Sequence, residues 1–119
     1  MENNMETDSK TIYPQDVLPE ISIEELTPEM RDACDRAGWK TLVPVQAKSI
    51  PYFLAGRDMM VQSRTGSGKT GAYILPILQK INAQQNAAQA LILVPTRELA
   101  LQVSREAEML TRETRIRIA

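Results

Sequence analysis

The spacing of apolar positions changes along the chain, and each change marks an element. Residues 1–19 show no apolar period and contain Pro14 and Pro19, so they read as disordered. Thr27-Pro28-Glu29 has the form of a helix start, with Thr27 as N-cap and Pro28 at the first helical position. Met30, Ala33, Cys34 and Ala37 then repeat on one helical face, and Gly38 supplies the stop. A second helix opens at Pro44 with Val45, Ile50, Phe53 and Leu54 to bury; Pro51 is expected to break it in two and Gly56 to end it. Asp58 to Gln62 predicts a short buried strand. Ile74, Ile77, Leu78 and Ile81 predict a helix that Pro76 should kink. Asn82 to Ala88 form a polar loop. Ala90-Leu91-Ile92-Leu93-Val94 is an unbroken apolar run, the pattern of a strand covered on both faces. Pro95-Thr96 opens a helix with Leu99, Ala100, Val103, Ala107 and Leu110 inward, and Ile116 and Ile118 suggest a last strand. Helices followed by a βαβαβ order predict an α/β fold with a parallel sheet.

Composition narrows the chemistry. The chain has 119 residues, which fits one ordinary domain, and its 43% apolar share suffices for a modest core. It has no histidine, which excludes Ser–His–Asp and Cys–His catalysis and histidine metal sites. The one cysteine, Cys34, excludes an intrachain disulfide and a Cys-rich zinc site; on an apolar helix face it reads as a small core residue. No apolar run approaches the ~18–20 residues of a membrane span, and the N-terminus has no secretory apolar region. The expected setting is a reducing, cytoplasmic one without a membrane. The net charge of −1 conceals an asymmetry: residues 1–20 carry five acids and one lysine, whereas residues 21–119 carry 13 bases and 10 acids. An acidic tail over 1–20 thus precedes a mildly basic body over 21–119.

Between the first predicted strand and the helix after it lies Ser63-Arg64-Thr65-Gly66-Ser67-Gly68-Lys69-Thr70. Gly66 and Gly68 let the backbone turn tightly with its N–H groups inward, and the following helix adds its positive end, which makes an anion nest. Lys69 would bring a point charge to the β- and γ-phosphates, and Thr70 a hydroxyl to Mg²⁺. Strand before and helix after are the context this motif requires. Ser63 stands where the general pattern has its first glycine. These residues alone indicate a nucleoside triphosphate and no more.

Two flanking segments narrow the choice. Gly38-Trp39-Lys40-Thr41-Leu42-Val43-Pro44-Val45-Gln46 lies upstream, and Pro95-Thr96-Arg97-Glu98-Leu99-Ala100 downstream. With the loop between them, they resemble in kind and order the amino-terminal part of a DEAD-box ATP-dependent RNA helicase, over about residues 21–119. The resemblance implies a partial P-loop (RecA-like) parallel sheet flanked by helices, truncated before completion, in which strands from later in the chain insert beside the phosphate-loop strand, so that 58–62 and 90–94 are not neighbours and the sheet has a gap. It implies that Gln46 reads adenine, its carboxamide donating and accepting at once, so that ATP is selected. Trp39 takes the place of an aromatic that stacks on adenine; the lesser alternative is a half-buried ring closing a helix. Thr41 sits where a further nucleotide contact is usual. Thr65, Gly66, Ser67, Gly68, Lys69 and Thr70 would hold the phosphates, with Lys69 and Thr70 as catalytic residues and Thr70 toward Mg²⁺. Pro95, Thr96 and Arg97 would touch the RNA backbone, a contact blind to sequence.

The chain also departs from the family. Leu42-Val43 replaces the usual Pro-Thr, which removes a turn-fixing ring and a hydroxyl. Ile21 or Ile23 stands near a position where the family has phenylalanine. No Asp-Glu-Ala-Asp occurs in the 119 residues, so the carboxylates that hold magnesium and position water, and the second helicase domain, are expected beyond Ala119. Binding without turnover is the expectation for these residues alone. The rival readings are a non-catalytic nucleotide- or RNA-binding module, a superfamily-2 DNA helicase, and a small-molecule kinase, which would lack a segment like that of Gln46.

Overall fold

A computed structural model describes residues 16–119. Residues 1–15 of the expected disordered tail lie outside the described residues. Residues 16–20 take no regular structure, but Leu18 N–H donates to Tyr52 Oη at 2.9 Å and Arg57 Nη1 to the Asp16 carbonyl at 3.0 Å. A single 3-10 turn follows at Ile23–Glu25, and then four helices: α1 (Pro28–Ala37), α2 (Pro44–Leu54), α3 (Lys69–Lys80) and α4 (Arg97–Thr111), among the described residues.

The caps read from sequence form as expected. Thr27 Oγ1 accepts the Met30 N–H at 3.4 Å with Pro28 in the first turn of α1. Gly38, at φ 76°, closes α1 in the left-handed region that a side chain disfavours. Thr96 Oγ1 accepts the Leu99 N–H at 3.1 Å to open α4. The far end of α4 is served from α1, where the Arg36 guanidinium donates to the Leu110 carbonyl through Nε at 3.2 Å and Nη2 at 2.7 Å. That satisfies a carbonyl which has no partner within its own helix.

Pro51 does not divide α2, contrary to expectation; the helix runs unbroken from Pro44 to Leu54. Proline removes the N–H that would bond the carbonyl four residues back, here that of Ala47. The Ile21 N–H takes that carbonyl at 3.1 Å. The tertiary fold thus replaces the missing bond, and the extended segment before α1 is tied to the middle of α2. Pro76 likewise lies within a continuous α3.

Met30, Cys34, Ile50, Leu75 and Leu110 are fully buried at the centre of the core, where α1, α2, α3 and α4 meet. Burial on α3 is wider than the predicted stripe, since Gly71, Ala72, Leu75 and Pro76 are buried along with Ile74 and Leu78.

The predicted sheet is not formed. Among the described residues none is in a strand, and no backbone hydrogen bond pairs 58–62 with 90–94 or with Ile116–Ile118. Both segments lack regular structure, and their exposure alternates: Met60 is 97% exposed between Met59 at 38% and Val61 at 40%, and Leu91 and Leu93 flank a more covered Ile92. The alternation of a strand is present without the ladder. The physical reason is that a strand satisfies its backbone only against another strand, and these two have none beside them. The expected burial of 58–62, and of both faces of 90–94, fails for the same reason. Between segment 90–94, the stretch around Ile116–Ile118, and α3 and α4 lies an open hollow of ≈ 950 Å³, lined by Ile77, Leu78, Ile92, Val94, Val103 and Ile118 among others.

Candidate functional site

The start of α3 differs from the starts of α1 and α4. The N-caps of α1 and α4 are threonines, with Glu29 and Glu98 in the first turn to suit the helix dipole. Helix α3 begins at Gly68 with no side-chain cap, no acid in its first turn, and Lys69 as its first residue. A cation there is electrostatically unfavourable for the helix alone. Unserved N–H groups and an ammonium at one helix start suit an anion.

Gly66 (φ 79°) and Gly68 (φ 97°) turn the loop through left-handed conformations. A Cβ on Gly68 would lie 2.6 Å from Val43 Cγ2. Within the loop, Ser67 N–H donates to the Arg64 carbonyl at 3.1 Å, Lys69 Nζ to the Ser63 carbonyl at 2.6 Å, and Ser63 Oγ to Ser67 Oγ at 2.6 Å. Thr65 and Gly66 are exposed, and Thr70 is partly buried.

Gln46 is the joint between the upstream segment and this loop. It is only 3% exposed. Its Oε1 accepts the Val43 N–H at 3.1 Å and its Nε2 donates to the Gly68 carbonyl at 3.2 Å. These partners fix which end of the carboxamide is oxygen. One Oε1 lone pair and one Nε2 hydrogen remain unspent. Val43 is the N-cap of α2 and has no side-chain acceptor, so only half of a capping box exists here: Gln46 serves Val43, and nothing on Val43 serves Gln46. This is the local consequence of valine at that position.

Trp39 closes α1, its N–H donating to the Cys34 carbonyl at 2.9 Å, and its ring packs on the first turn of α3. A Cβ on Gly71 would lie 2.7 Å from Trp39 Cη2 and 2.5 Å from Gln46 Nε2. Gly71 therefore makes room for both side chains, a role absent from the sequence reading. A glycine inside a helix, costing about 1 kcal/mol against alanine, is the signal that could have found it. A hollow of ≈ 270 Å³ beside Lys69 is bounded by Ser49, Phe53, Met59, Val61 and Tyr73 among others.

The structure thus brings together Trp39, Gln46, Gly68 and Lys69. Thr41 is exposed, and among the described residues none hydrogen-bonds to it. Pro95, Thr96 and Arg97 are exposed at the start of α4, and among the described residues no hydrogen bond joins them to the loop. No helix among the described residues is long and apolar enough to cross a membrane.

Comparison with known proteins adds a family match, a curated relative and two solved structures. The family model for DEAD/DEAH box helicases matches residues 43–119. The ATP-dependent rRNA helicase RRP3 of Phaeosphaeria nodorum is 43% identical over 97 residues, covering 82% of this chain and 17% of that relative. Among solved structures, a DEAD box protein from Methanococcus jannaschii superposes with TM-score 0.71 at 37% identity, over 80% of this chain and 27% of its own. Mss116p bound to ssRNA and AMP-PNP superposes with TM-score 0.65 at 32% identity, over 83% and 22%. The chain spans between 17% and 24% of the length of the first curated relatives it matches.

Proposed function

The chain belongs to the DEAD/DEAH box helicase family, and from that premise we propose that it forms the ATP- and RNA-binding front of an ATP-dependent RNA helicase. The observation that carries the proposal is the bond from Gln46 Nε2 to the Gly68 carbonyl, which joins the adenine-reading segment to the phosphate loop. The unspent lone pair and N–H of Gln46 match the donor and acceptor on adenine's edge, which favours ATP over GTP. Trp39 presents an aromatic face beside them. The uncapped amides at the start of α3, with Lys69, would take the phosphates, and Thr70 would offer its hydroxyl to Mg²⁺. Mg²⁺, when bound, neutralises developing charge on the phosphates.

Thr96 uses one hydroxyl lone pair to cap Leu99 and keeps an O–H to donate to a phosphodiester oxygen, with Arg97 beside it. Segments 58–62 and 90–94 are read as strands of a RecA-like parallel sheet in the assembled domain. Mss116p, similar to this chain, is bound to ssRNA and AMP-PNP, a pair of ligands that agrees with this reading.

The test is RNA-stimulated ATP hydrolysis by the intact gene product. RNA should raise turnover, and ATP should outcompete GTP. Removing the charge with Lys69→Ala should weaken nucleotide binding about 30-fold or more, as expected when one partner of a charge pair is lost. Equal use of ATP and GTP would sink the role given to Gln46. ATP turnover indifferent to RNA would sink the helicase reading.

A further inference from the structure

The phosphate loop is bonded to itself, and two of its own groups are spent in doing so. The Lys69 ammonium lies on the Ser63 carbonyl at 2.6 Å, and the Ser67 N–H on the Arg64 carbonyl at 3.1 Å. These are the groups a phosphate would recruit. Ser63 holds the loop twice, its carbonyl taking Lys69 and its hydroxyl reaching Ser67 Oγ at 2.6 Å. Any residue can supply the carbonyl; only a hydroxyl-bearing one can supply the second bond. Ser63 and Ser67 are both partly buried, so water competes less well for that bond than at an open surface.

Resting on the nucleotide reading above, we infer that Ser63 is a positioning residue whose hydroxyl latches the loop in its self-bonded form. It thereby sets how readily the loop opens to a triphosphate. The latch acts on the unliganded protein. Releasing it enlarges the binding-competent fraction and raises apparent affinity by the same factor. The gain falls on the association rate, because the bound state does not contain the latch.

The experiment is stopped-flow binding of a fluorescent ATP analogue, mant-ATP, to the intact gene product. Ser63→Ala should tighten binding about 2- to 10-fold, the range of one ordinary hydrogen bond, through faster association and unchanged dissociation. Ser67→Ala removes the same bond from its other side while keeping the Ser67 backbone N–H, the group assigned to the phosphates, and should give a similar gain. The double variant should add little, since both remove one interaction. Ser63→Thr keeps a hydroxyl and should restore the parent rate. If the parent binds and Ser63→Ala is unchanged, weaker, altered only in dissociation, or additive with Ser67→Ala, the latch is overturned. If the parent binds no mant-ATP, the nucleotide reading fails and the latch falls with it.

Discussion

Segments 58–62 and 90–94 are more apolar than the helical cluster, yet only the helices are folded against anything. Leu75 in α3 is fully buried, while Leu91 and Leu93 are 84% and 85% exposed. The difference lies in where each element finds its hydrogen bonds. A helix closes its own backbone bonds and has only to bury one face, which α1 to α4 do against one another. A strand must borrow a neighbour for its backbone before its side chains can be covered. Apolar content therefore decides burial only after the backbone is satisfied.

The largest test of this contrast is a pair of leucine truncations followed by urea denaturation. Leu75→Ala should lower stability by about 2–5 kcal/mol, because it leaves a cavity in a packed core. In the 119-residue chain, Leu91→Ala removes the same atoms from a surface and should stay within about 0.5 kcal/mol. A Leu91→Ala cost approaching that of Leu75→Ala would mean that segment 90–94 is packed in solution, and would erase the contrast.

Cys34 sharpens the packed side of the comparison. Burial, and then the charge of Asp35, pushes its thiol from an ordinary 9.0 up to about 11. The folded state therefore holds the proton more tightly than the unfolded chain. The stability this represents is fully present below about pH 9 and is lost as pH rises toward 11. Unfolding free energies across that window should fall by on the order of 2 kcal/mol more for the parent than for Cys34→Ala, which cannot titrate there. Parallel curves for the two would show the thiol to be accessible in the native state.

What could be read in advance follows the same division. Thr27, Gly38 and Thr96 announce helix ends through bonds within a few residues, and the structure makes those bonds. The loop 63–70 and the start of α3 were legible because glycine spacing and the lysine have local meanings. The sheet was not, since the pattern at 58–62 and 90–94 states a capacity to pair and says nothing of whether a partner is alongside. Gln46 was legible as a residue of interest, but its two partners were not. Val43 is a near neighbour, whereas Gly68 is 22 positions away and is brought close only by the packing of α2 on α3. Gly71 was missed because its role is the space it leaves for Trp39 and Gln46.

Pro51 offers the smallest effect and the finest test, because it shows a local rule yielding to a distant bond. Sequence alone predicts a broken helix there; the Ile21 N–H on the Ala47 carbonyl keeps it whole. In Pro51→Ala, a new amide at 51 would compete for that carbonyl from within α2, in ideal helical position. The segment before α1 would then lose its hold, while the helix gained a bond of its own. Net stability should therefore change little, as one ordinary hydrogen bond of about 1 kcal/mol replaces another. The readout is hydrogen exchange at the Ile21 amide, which should lose protection in the variant while the amides of α2 keep theirs. Retained protection at Ile21 would mean that packing of Ile21 and Ile23 on the core holds the segment without help from the proline.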